Sequence, residues 1–128
     1  VLKHMLNYIT PCFLAKRSVM NVYDDPSKVT EKVVDRYFDL ILREGNRQAF
    51  VDRMNFSTYP DHLIRLRTIK TPTLIVWGEN DKLIPIENAQ KFHADLPNDT
   101  LVVLEKTGHV PMEENPGRTV DAIRLFLK

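Results

Sequence analysis

Two uninterrupted apolar runs constrain this chain more than any other feature. "TLIVW" occupies residues 73–77 and "TLVVLE" occupies residues 100–105. Both are rich in β-branched and aliphatic side chains, and the first is bracketed by Pro72 and Gly78. A short continuous apolar run with such flanks suits a strand buried on both faces, as in a parallel sheet. Between them, "PIENAQKFHADL" reads as a helix opened by Pro85, with Ile86, Ala89, Phe92 and Leu96 on one side. "PGRTVDAIRLFLK" ends the sequence with Val120, Ile123 and Leu127 at helical spacing, a face expected to point inward. Strand, helix, strand, helix is a βαβα pattern, so parallel pairing through a right-handed crossover is expected. The fold class is α/β.

The residues before about 70 have a different character. In "SKVTEKVVDRYFDLILREG" the positions Val33, Val34, Tyr37, Phe38 and Ile41 form one apolar helical face. Thr30 is placed to cap its N-terminus, Glu31 suits the first turn, and Gly45 suits the residue just beyond its end. A second short helix is expected in "RQAFVDRM", with Phe50 and Met54 four apart, and a third in "DHLIRLRTI", with Leu63, Ile64 and Leu66 turned inward. Residues 1–20 also read as helical, broken near Pro11. The sequence therefore divides into a helical part, 1–69, and a βαβα part, 70–128.

Bulk properties narrow the function classes. The 128 residues fit one ordinary domain, and 43% hydrophobic content can support a core. With 18 basic and 17 acidic residues the net charge is +1, which leaves neither a footprint for nucleic acid nor a polybasic membrane patch. The opening segment is interrupted by Lys3, His4, Asn7 and Pro11, too short and polar for a membrane span and without the pattern of a signal peptide. A start at Val1 rather than Met is read as a start within a longer chain. The lone Cys12 rules out an internal disulfide framework and a Cys-rich metal site, and fits a reducing, cytoplasmic compartment. No two of the four histidines have metal-ligand spacing, so neither metal nor cofactor is implied.

Chemistry in open α/β sheets gathers at the carboxyl ends of the strands. The first strand delivers Asp81 through "GEND", and the second delivers His109 through "EKTGH". Parallel neighbours bring both loops to one edge of the sheet, where a carboxylate can orient an imidazole and stabilise its protonated form. Each residue also has a plain structural explanation. Asp81 stands where turn aspartates are common, and His109 is a polar residue after Gly108. The shared sheet edge allows the paired role beside these explanations. Glu79 reads as a solvated loop acid, and His4, His62 and His93 as surface residues. Glu113 and Glu114, ahead of "NPGRTV", suit the start of a helix and its dipole rather than acid–base chemistry. Leu83 and Val110, each close to one of the pair, are the candidates for a substrate-pocket wall.

"PTLIVWGENDKLIP" followed by "LVVLEKTGHVPMEENP" resembles the last two core strands of the α/β-hydrolase fold. In that family the order along the chain is nucleophile, acid, histidine. Asp81 matches the acid position and His109 the histidine position. The stretch "VYDDPSKVTEKVVDRYFDLILREGNRQAFV" is similar to the helical cap of esterase-like, carbon–carbon-bond and dehalogenase-like hydrolases. The resemblance implies the C-terminal part of such a hydrolase, with 1–69 as cap and 70–128 as core. It also implies a small, partly apolar substrate. Phe13, Tyr23, Tyr37, Phe38, Phe50 and Phe56 then read as cap core or as substrate lining.

One part of the family pattern is missing. The nucleophile of this fold sits on a G-x-S-x-G elbow, yet the four glycines, at 45, 78, 108 and 117, bracket no such residue. Ser18, Ser27 and Ser57 lack the elbow context, and Cys12 lies far from any strand end. Two classes of function follow. One is a hydrolase of an ester or related bond whose nucleophile lies outside these residues. The other is a non-catalytic ligand- or partner-binding member of the fold, or an inactive fragment. Two strands alone make a weak sheet, so self-association through its open edge is a further expectation.

Overall fold

A computed structural model describes residues 12–55 and 63–128. The chain forms two compact units, one of residues Val1–Met20 with Val29–Pro60, the other of Asn21–Lys28 with Asp61–Lys128. The short segment 21–28 thus groups with the βαβα part, although it lies in the helical half of the sequence.

The first unit is helical. Helix α1 (Cys12–Val22) buries Ala15 and Val19, four residues apart. Helix α2 (Glu31–Leu42) starts where expected, with the Thr30 hydroxyl accepting from the Val33 amide at 3.3 Å. Val34 is its buried residue, and Val33, Tyr37, Phe38 and Ile41 are half-buried around it, as their spacing implies. Gly45 adopts φ +82° between α2 and α3 (Asn46–Asn55), a conformation that favours glycine. Phe13 and Phe50 are largely exposed rather than core residues. The expected helix in 1–11, the residues Phe56, Ser57 and His62, and the side chains of Met54, Leu63 and Ile64 lie outside what is described.

The second unit holds α4 (Leu63–Leu66), β1 (Thr73–Gly78), α5 (Glu87–Asp95), β2 (Asp99–Leu104), α6 (Pro111–Glu114) and α7 (Pro116–Phe126). β1 and β2 pair in parallel, with Thr73 opposite Asp99 and Gly78 opposite Leu104. Both strands are half-buried along most of their length, not covered on both faces as expected. The reason is that no third strand joins this sheet among the described residues. Beyond the strands the ladder continues. The Glu79 amide donates to the Leu104 carbonyl and the Asn80 amide to the Thr107 carbonyl, both at 3.0 Å.

Helix α5 begins two residues after Pro85 and points Ala89, fully buried, and Leu96 inward. Phe92 is partly exposed and meets Trp77, ring centroids 6.5 Å apart. Helix α7 corrects the expected inward face. Val120, Ile123 and Leu127 are exposed, whereas Thr119 is buried and Ala122 and Phe126 are half-buried. The period is retained and the phase moves by one residue. On the buried side the Thr119 hydroxyl lies 3.0 Å from the carbonyls of Pro111 and Asn115, so its polar group is satisfied there.

Backbone meets backbone at the carboxyl end of the sheet. A Cβ added to Gly78 would collide with the carbonyl groups of Gly108 and Thr107. A Cβ added to Gly108 would lie 2.5 Å from the Val22 carbonyl oxygen and 2.6 Å from the Asp24 nitrogen. Three segments are stacked with no space for side chains between them. Gly108→Ala is therefore expected to destabilise the protein by about 1–3 kcal/mol, read from the denaturant midpoint. A change of only a few tenths would show that the stack gives way easily.

Candidate active site

Asp81 follows β1 in a turn that its own carboxylate holds. Its amide donates to the Gly78 carbonyl, and its Oδ1 accepts from the amides of Leu83 and Ile84, both at 2.9 Å. The Trp77 indole N–H donates to the Ile84 carbonyl at 3.1 Å and closes the far side of the turn. With Oδ1 committed to the turn, Oδ2 remains free to face another group. That group is His109, whose Nδ1 lies 2.8 Å away. The turn role and the paired role of Asp81 coexist, one on each oxygen.

His109 is positioned by its backbone. Its amide donates to the Val22 carbonyl at 2.8 Å, and the amide of Gly108 donates to Glu114 Oε2 at 2.6 Å. Chain reversal between β2 and this loop uses Lys106 at φ 51°, a conformation uncommon outside glycine. The fully buried Thr107 follows, its hydroxyl donating to the Glu105 carbonyl at 3.0 Å.

The two side chains differ in environment. Asp81 is 4% exposed and His109 is 33% exposed. Burial acts most strongly on the Asp81 carboxyl and pushes its pKa up. The amides of Ile84 and Leu83 and the His109 imidazole together outweigh burial and hold it below its ordinary value. An ionised carboxylate accepts hydrogen bonds only, so the facing His109 Nδ1 carries a proton and donates it. In the neutral ring Nε2 is then the basic nitrogen. A small cleft of about 130 Å³ adjoins the pair, lined by Val76, Trp77, Gly78, Pro111 and Met112 together with Asp81 and His109.

Leu83 and Val110 do not line this cleft. Leu83 is half exposed, its amide in the Asp81 turn, and Val110 is half-buried just ahead of α6. Glu79 is exposed. His93 pairs with Asp99 at 2.9 Å, away from the cleft at the start of β2. Among the described residues no cluster of three or more His, Cys, Asp or Glu is placed to hold a metal ion. No described helix is long and apolar enough to cross a membrane.

Glu113 and Glu114 have partners that the sequence did not disclose. Glu113 accepts from the Tyr23 hydroxyl at 2.7 Å, and Glu114 is buried against backbone amides. Asn80 donates to Asp24 Oδ2 at 3.0 Å. Apart from the nearby Gly108 amide, these partners come from residues 23–25, distant in sequence, and no local motif announces them.

Residues 10–116 match the family model described as the alpha/beta hydrolase fold. The chain is 32% identical over 115 residues to the uncharacterized hydrolase YugF of Bacillus subtilis, covering 88% of this chain and 41% of that protein. It is 35% identical over 106 residues to 2-hydroxy-6-oxononadienedioate/2-hydroxy-6-oxononatrienedioate hydrolase 2 of Pseudomonas putida, covering 80% of this chain and 37% of that protein. The chain thus spans less than half the length of these curated relatives. Among solved structures, a serine hydrolase involved in carbazole degradation superposes with a TM-score of 0.81 at 25% identity, over 94% of this chain and 48% of the other. An esterase from Thermogutta terrifontis shares the fold with a TM-score of 0.76 at 23% identity, over 98% and 46%. With most of its length matched to the family model and its parallel βαβα unit in place, this chain belongs to the α/β-hydrolase fold family.

Proposed function

We propose that Asp81 and His109 are the acid and histidine of a hydrolase triad acting on an ester or related bond. The nucleophile lies outside these residues, residues 1–69 serve as cap, and residues 70–128 serve as part of the core. The observation that carries this proposal is the 2.8 Å contact between His109 Nδ1 and a buried carboxylate whose other oxygen is fixed by its own turn. The chemistry follows from that geometry. Nε2 takes the hydroxyl proton of the nucleophile as its oxygen attacks the carbonyl carbon, and then gives that proton to the leaving group. Water enters next and loses a proton to Nε2 as its oxygen adds to the acyl carbon. The bond from that carbon to the nucleophile then breaks, Nε2 returns the proton to the nucleophile oxygen, and the acid leaves. Asp81 orients the ring and stabilises the imidazolium in both steps.

The likeness to a carbazole-degrading serine hydrolase favours serine as the nucleophile. An aspartate nucleophile would use His109 to activate water in the second step instead. The Pseudomonas putida relative favours a second reading, in which the scissile bond belongs to a 2-hydroxy-6-oxo dienedioate. Turnover of such a substrate but not of nitrophenyl esters would select it.

Two expectations follow. His109→Ala in the intact protein should lower kcat/KM on the accepted substrate by about three orders of magnitude or more, with its circular dichroism unchanged. Undiminished turnover would remove His109 from the mechanism. The lowered Asp81 pKa also predicts a pH dependence of stability. A carboxyl held below its ordinary 3.8 when folded stabilises the protein above that value, and this contribution is lost as pH falls through the lowered folded value. Acidification from about pH 5 downward should therefore depress the Tm of the parent protein more steeply than that of Asp81→Asn. Parallel curves would contradict the coupling.

A further inference from the structure

We propose that Glu114 is a positioning residue for His109, acting through the segment Val22–Asp25 to which it binds. The proposal rests on His109 being the base of the hydrolase reading. Glu114 is only 5% exposed. Its Oε2 accepts from the amides of Gly108 at 2.6 Å and Asp24 at 3.1 Å, and its Oε1 accepts from the amide of Asp25 at 2.8 Å. One carboxylate thus satisfies three backbone donors from two distant segments. A buried backbone N–H without an acceptor is costly, and no apolar side chain could replace this one.

The segment Val22–Asp25 works as a strap across both loops of the site. On the histidine side, the Val22 carbonyl accepts from the His109 amide at 2.8 Å, and the Gly108 backbone lies directly against Val22 and Asp24. Glu114 binds Gly108 and the strap with the same carboxylate, so it locks the residue that precedes His109 onto the segment that holds His109. On the acid side, Asp24 Oδ2 accepts from Asn80 Nδ2 at 3.0 Å, and Lys82 Nζ lies 3.9 Å from Asp24 Oδ1. Asn80 and Lys82 flank Asp81. The strap therefore connects the loop carrying the carboxylate to the loop carrying the imidazole. The Lys28 ammonium, which donates to the Glu114 carbonyl at 3.1 Å, ties the strap's far end to the same residue. Displacement of a reacting group by about 1 Å can cost about a hundredfold in rate, so a device that fixes both loops bears directly on turnover.

Glu114→Gln tests this. Glutamine has one oxygen, and its NH2 group would face an amide donor, so at least one of the three bonds fails. In the intact protein the expected result is a fall of about a hundredfold in kcat with KM little changed, and loss or marked shift of the low-field Nδ1–H proton resonance of His109. Val34→Ala, in the other unit, should lower the Tm while leaving that resonance and kcat in place. This contrast separates positioning from simple support of the fold. Asp24→Ala removes only the side-chain tie to the acid loop and should shift the same resonance to a smaller extent. If Glu114→Gln does not fold, Glu114→Asp, which keeps the charge but draws the carboxylate back from the three amides, decides the matter. An unmoved resonance and kcat in a folded Glu114→Gln or a folded Glu114→Asp overturns the proposal. A resonance that responds in a protein without hydrolytic activity upholds the positioning role and removes the hydrolase reading. Hydrolysis with an indifferent resonance does the reverse.

Discussion

Close approach of three backbones is the constraint on which this molecule depends. Gly78 at the end of β1, Gly108 ahead of the histidine, and Val22–Asp24 are stacked where side chains would collide. That stacking brings the loop after β1 and the loop after β2 within hydrogen-bond reach of each other. It also brings the amides of Asp24 and Asp25 against the Glu114 carboxylate, and the His109 amide against the Val22 carbonyl. Parallel pairing puts the two loops at the same edge of the sheet. The glycines then remove the last few ångströms between them.

Asp81 shows how one residue can be both scaffold and chemical group. Its Oδ1 holds the turn that follows β1, and its Oδ2 meets His109. Protein donors rather than solvent keep the buried carboxylate ionised, since bonds from Leu83, Ile84 and His109 together offset the cost of burial. The imidazole is the more exposed partner. A buried acid behind a part-exposed base is the arrangement that proton transfer at a substrate requires, and it agrees with the proposed hydrolysis.

Much of this was legible in the sequence, and the exceptions have physical causes. "TLIVW" and "TLVVLE" announced parallel strands because their character is local and their flanks are unambiguous. The meeting of Asp81 and His109 was legible because parallel neighbours bring both loops to one edge of the sheet, and the family resemblance supplied their order. Burial on both strand faces was not met, since that depends on neighbours beyond the two described strands. The face of α7 was misjudged by one position because hydropathy scores threonine as polar, whereas Thr119 is buried with its hydroxyl satisfied by the carbonyls of Pro111 and Asn115. Glu114 read as an ordinary helix-terminal acid. Its amide partners Asp24 and Asp25 lie about ninety residues earlier, and spacing carries no information about contacts of that range.

If Asp81 and His109 act as one unit, their effects on turnover cannot be independent. The most direct measurement is a double-mutant cycle on kcat/KM in the intact protein, using Asp81→Ala, His109→Ala and the pair. The predicted result is that the double variant loses no more than His109→Ala alone, because the carboxylate has no role once the imidazole is gone. Losses that multiply would show that the two residues work separately and would contradict the account.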